Sequence, residues 1–183
     1  EPQIAELYNY RGDAKRNLQD FQGAIADYTK AIEINPQFDE AYFHRGVSKY
    51  ELKDYQGETY DYTRAIEIKP KFALAYFNRG LTKDDSGEYE GAIADYTKAI
   101  EINPKYSLAY FNRGLAKDDL EDYEGAIADY DKVIEINPKL ADAYRMRGIN
   151  KELIGDLKGA CSDWRKAADF GLTEPAKWVK KQC

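Results

Sequence analysis

Five Arg–Lys pairs, each four residues apart, recur along the chain: Arg11/Lys15, Arg45/Lys49, Arg79/Lys83, Arg113/Lys117 and Arg147/Lys151. On a helix such a pair shares one face. An unvarying acid follows each pair, at Asp27, Asp61, Asp95, Asp129 and Asp163. Two chemistries fit this pattern. A row of free cations would hold an anionic ligand; alternatively, each cation is tied to its Asp between helices. The columns border a packing face, where a charge must be paired or lie at the edge, so the tie is the expected use.

A second set of charges stands at Asp84-Asp85, Asp118-Asp119 and Glu152, with Tyr50-Glu51 in the same place. These acids end their helices, where the macrodipole disfavours negative charge by about 0.3–1 kcal/mol each. They are either an acidic rim for Lys or Arg of a partner or a solvated turn. Catalytic chemistry has little material. His44 is the only His, so no His pair, triad or His-based zinc site can be built. The glycines are not spaced as a phosphate loop, and the acids lack the alternation of a calcium loop. No catalytic residue, cofactor or metal is therefore expected. An enzyme working with acids alone is the remote alternative.

The two cysteines, Cys161 and Cys183, are too few for a disulfide framework. Free thiols and a cytoplasmic location are the default expectation; a bridge between them would instead imply the periplasm or secretion. Net charge is −6 with mixed signs, which argues against a nucleic-acid partner. No apolar run approaches the length of a membrane span. Sixteen Tyr and seven Phe speak for a packed chain rather than a disordered one. The start at Glu1 without Met leaves a removed leader open.

What positions these residues is a repeat. Gly12, Gly46, Gly80, Gly114 and Gly148 stand 34 residues apart, and residues 73–106 and 107–140 differ at only 8 places. A fixed period of this size means stacked units that cannot bury their apolar faces alone. In the third unit one helical pattern runs from about Leu74 to Asp85, and a second from near Tyr89 to Asn103-Pro104. Tyr76 and Gly80 share a face of the first; Ala92, Tyr96 and Ala99 share a face of the second. Pro104 cannot continue a helix, and the short link near Gly87 makes the two helices antiparallel. Gly80, costing about 0.5–1 kcal/mol against Ala inside a helix, is expected to admit a close neighbour.

Tyr76, Gly80, Ala92, Tyr96, Ala99 and Pro104 at these spacings resemble a tetratricopeptide repeat of the bacterial type. The resemblance covers essentially the whole chain. It implies an all-α, right-handed solenoid over residues 1–183, with units at 5–38, 39–72, 73–106, 107–140 and 141–174. It also implies that the first helices line a concave groove that binds peptides or protein segments. After the fifth unit, Thr173-Glu174-Pro175 reads as an N-cap and early Pro. The helix it opens, 173–182, is expected to turn Trp178 and Val179 inward over the last unit and bring Cys183 towards Cys161.

In such a groove one column is Phe43, Phe77 and Phe111, continued by Arg145. A second is Val47, Leu81, Leu115 and Ile149, and a third holds Leu74 and Leu108. This is an apolar strip for a partner, unless the Phe and Leu residues pack between neighbouring helices. Asn78 and Asn112, with His44 and Tyr10 in their column, suit pairing with extended main chain. The preferred ligand is then a protein or peptide segment with apolar anchors and basic flanks, held by a non-catalytic scaffold. Self-assembly as a homo-oligomer is the alternative. Glu58 replaces the Ala of other units at a tight helix contact, which predicts a splayed, weaker second unit that Glu58→Ala would stabilise.

Overall fold

The computed structural model describes residues 2–183. Among them are eleven helices and no strand. The first four are α1 (Pro2–Asn17), α2 (Phe21–Ile34), α3 (Asp39–Glu51) and α4 (Tyr55–Ile68). Then come α5 (Ala73–Asp85), α6 (Tyr89–Ile102), α7 (Ser107–Asp119) and α8 (Tyr123–Ile136). The last three are α9 (Ala141–Leu153), α10 (Leu157–Asp169) and α11 (Thr173–Gln182). Contacts divide the chain into two compact units, Glu1–Thr82 and Lys83–Cys183. The division falls inside α5 and so does not follow the repeat boundaries.

Each second helix starts and stops for local reasons. Asp20, Asp54, Asp122 and Asp156 accept a hydrogen bond from the N–H three residues on, at Gly23, Gly57, Gly125 and Gly159. This side-chain cap is worth about 1 kcal/mol. A Cβ on Gly23 would stand 2.1 Å from Asp20 Oδ2, so the cap and the Gly form one device. The turn before it requires a left-handed residue. Gly87 and Gly155 take that position with φ of 76° and 87°, but Gln19, Lys53 and Glu121 take it with φ near 60°. An L side chain there costs roughly 1–2 kcal/mol. At the other end, Asn35 and Asn103 become extended ahead of Pro36 and Pro104.

Packing within a pair explains the 34-residue glycine column. A Cβ on Gly12 would meet the Tyr28 ring at 2.6 Å, and one on Gly46 the Tyr62 ring at 2.7 Å. In the second compact unit Tyr130 lies on Gly114, and Trp164 on Gly148. The rings are buried at these contacts, and about 2.6 Å leaves no room for a methyl group. Between pairs the contacts are smaller: Ala41, Ala109 and Ala143 have no exposed surface.

Helix α11 lies along α10. The Trp178 ring meets that of Trp164 edge-on, with centroids 5.4 Å apart, and Pro175 is buried. Cys183 is bonded to Cys161, with Cα atoms 5.8 Å apart, so the free-thiol expectation is corrected. The N-cap expectation also changes: Leu172 caps α11 without a side-chain bond, and Thr173 is already helical. Thr173 therefore offers its hydroxyl to no orphan N–H, and the early Pro175 carries the start.

Candidate peptide-binding surface

The Arg and Lys columns resolve into one repeated lattice. Arg45 donates from Nε and Nη2 to both oxygens of Asp61, at 2.9 and 2.7 Å, while Lys49 Nζ stands 2.8 Å from the same carboxylate. Arg11, Arg113 and Arg147 hold Asp27, Asp129 and Asp163 in the same way. Lys15, Lys83, Lys117 and Lys151 each reach the Asp of their own pair. A bidentate fork is the geometry that only Arg supplies. Its hydrogen bonds hold Asp27 below the usual carboxylate range, against the upward push of burial, with Lys15 adding to them. These carboxylates are buried and fully engaged, so they hold helix to helix, and the cations are not a free ligand stripe.

The remaining guanidinium nitrogen reaches back one unit. Nη1 donates to Thr29 from Arg45, to Thr63 from Arg79 and to Thr97 from Arg113, at 3.0–3.1 Å; Arg147 uses Asp131. Sequence reasoning missed this Thr column, although its 34-residue period was visible. The Arg11 side chain is 59% exposed where that of Arg45 is 13% exposed.

The acid pairs divide into two kinds. Asp85 and Asp119 are exposed, whereas Asp84 and Asp118 are half-buried. Tyr96 donates its hydroxyl to Asp84 at 3.2 Å, and Tyr130 donates to Asp118 at 2.7 Å. Burial pushes both carboxyls above their ordinary range. Asp84 and Asp118 thus each answer a buried phenol. In the first unit Asp13 takes the Tyr28 hydroxyl and also lies 2.9 Å from His44 Nδ1.

The aromatic column is buried or half-buried. Phe43 and Phe77 are only 6% and 7% exposed. Phe43 packs among Tyr62, Phe72 and His44. Phe111 is half-buried against Tyr130, and Arg145 is engaged with Asp142. The Phe residues therefore belong to the packing between helices. In the aliphatic columns Leu74 is 43% and Leu108 58% exposed, while Val47, Leu81, Leu115 and Ile149 are half-buried. Asn112 donates to the Leu108 carbonyl of its own helix at 2.8 Å, and Asn78 faces the Tyr62 hydroxyl.

Glu58 does not splay its unit. It has no exposed surface and accepts the Thr82 hydroxyl. Burying a carboxylate is costly without such a partner. Thr82 also donates to the Asn78 carbonyl of its own helix at 3.1 Å, so removing Glu58 would leave that hydroxyl an acceptor but open a cavity, which counts against the expected gain from Glu58→Ala.

Profiles of known families agree with this architecture. One described as "TPR repeat" matches residues 2–53 and 85–117, and one described as "Tetratricopeptide repeat" matches 107–140. Between them they cover more than half of the chain. The protein belongs to the tetratricopeptide repeat family. None of the curated proteins matches it, but solved structures do. One crystal structure of MamA is 28% identical with a TM-score of 0.83, covering 91% of this chain and 95% of that one. Another is 26% identical with a TM-score of 0.87, covering 100% and 98%. YrrB, described as a TPR protein with an unusual peptide-binding site, is 20% identical with a TM-score of 0.83, covering 95% and 90%. At that identity the likeness to YrrB concerns the fold. No described helix is long and apolar enough to cross a membrane.

Proposed function

We propose that this tetratricopeptide protein is a non-catalytic scaffold that binds a protein or peptide segment with aliphatic anchors and basic flanks. The observation that carries it is the exposure of Leu74 and Leu108 on first helices, beside half-buried Leu81 and Leu115. On each first helix taken by itself, an exposed aliphatic side chain beside a half-buried one marks a contact surface rather than a core. Asp85 and Asp119, exposed and at the ends of the same helices, suit the basic flanks. YrrB, of the same fold, is described as having a peptide-binding site. The Cys161–Cys183 bond favours an oxidising compartment, the periplasm or outside the cell, over the cytoplasm.

Selection of random dodecapeptides by display on the purified chain tests the reading. Enriched sequences should combine Leu, Ile, Val or aromatic residues with Lys or Arg. A selected peptide should bind Leu74→Ser/Leu108→Ser at least about tenfold more weakly, a loss of about 1.4 kcal/mol. Enrichment of acidic peptides, or unchanged affinity in that variant, would reject it.

A further inference from the structure

Helices α9, α10 and α11 border an open cleft. Ile149 and Glu152 of α9, Trp164 of α10 and Trp178 of α11 line it, around a volume of about 110 Å³. The two indole planes meet at 64°. Trp164, 1% exposed, backs the cleft from within the core, and half-buried Trp178 is the ring that keeps surface open to it. Paired substitutions in the fifth unit set this up. Where Tyr96 and Tyr130 give a hydroxyl to Asp84 and Asp118, this unit has Trp164 and Glu152. An indole has no hydroxyl to give. Among the described residues the Glu152 carboxylate makes no hydrogen bond or ion pair, and its neighbour Lys151 is held by Asp163 at 2.8 Å.

We propose that this cleft seats an alkylammonium group, the side-chain ammonium of a Lys, free or methylated, in a partner segment. An aromatic face attracts a cation through its quadrupole, and the unneutralised carboxylate of Glu152 completes the charge match. The volume is smaller than the roughly 150 Å³ cavity that admits benzene, and equals about four water volumes. That suits one ammonium head with its substituents. The inference deepens the proposed function by giving a basic flank its seat, yet uses residues on which that reading does not depend.

The chain's only two Trp residues, Trp164 and Trp178, both line the cleft, so their emission reports occupancy directly. The oxidised protein is titrated at constant ionic strength with choline and with 3,3-dimethylbutan-1-ol, its neutral isostere. A saturable emission change with choline, at least threefold weaker for the alcohol and for Glu152→Gln, is expected. Leu108→Ser should leave that titration unchanged. Equal binding of choline and alcohol, an unaffected Glu152→Gln, or no saturation with choline would overturn the site. Each of these could occur while selected peptides still bind through Leu74 and Leu108, so the two readings fail separately.

Discussion

Asp84 and Asp118 show how one side chain can serve packing at a cost in charge. Each accepts a phenol hydroxyl from the second helix of its pair, and each is pushed above its ordinary pKa by burial. A carboxyl whose folded pKa is raised binds protons more readily when folded. Its favourable share of stability is present below the unfolded pKa, about 3.9, and is lost as pH rises through the folded value. Asp84→Asn/Asp118→Asn keeps an acceptor oxygen without the charge. The variant should therefore melt at an equal or higher temperature than the native chain at pH 7, and the difference should shrink as pH falls towards about 4. Melting curves from pH 4 to 7 measure this; a native chain more stable than the variant at pH 7 would mean that the charges are paired. Asp27 behaves oppositely. Held low by Arg11, it stabilises above its unfolded pKa and fails only as pH falls through the still lower folded value.

Among the elements, α11 depends most on a single link. Ten residues long, it is too short to be a stable helix alone. It is held by Trp178 on Trp164, by buried Pro175 and by the Cys161–Cys183 bond. The bond closes a loop of sequence separation 22, worth about 3 kcal/mol by the chain-entropy estimate. Reduction, or Cys183→Ser, should lower the melting temperature by several degrees and shift Trp emission to the red as Trp164 meets water. If both stay unchanged on verified reduction, the aromatic contacts alone hold α11.

On the scale of the whole molecule, the two ends are unlike the interior. Leu7, 66% exposed, stands where Ala41, Ala109 and Ala143 make closed contacts. Arg45 and Arg113 each donate to a Thr hydroxyl, a bond that Arg11 does not make among the described residues. At the far end Arg165 occupies the column of Thr29, Thr63 and Thr97, and α11 packs on the same helix. Head-to-tail stacking of copies would set Arg165 against Arg11 and force Leu7 into an Ala-sized space, a mismatch in both charge and volume. Light scattering across a wide concentration range should show no open-ended growth of the oxidised chain. A continuous rise in mass with concentration would contradict this.

Periodicity alone determined the fold class. Gly and Ala at fixed places, Tyr at the opposing ones and Pro at the boundaries leave few ways to bury apolar surface other than stacked antiparallel pairs. The same regularity made the Arg–Asp tie legible, because five copies of one charge pattern beside a packing face require pairing. Tertiary structure decided what period cannot encode, namely which side of a column faces a neighbour. Phe77 and Leu74 lie in adjacent columns of one helix, yet one is buried and the other is open. Asp84 and Asp85 are neighbours, but only Asp84 meets a phenol. A helix turns about 100° per residue, so adjacent side chains enter different surroundings, set by where the next helix lies. Glu58 shows the same limit. Its partner, Thr82, is 24 residues away on another pair's first helix, and only the packed chain brings the two together.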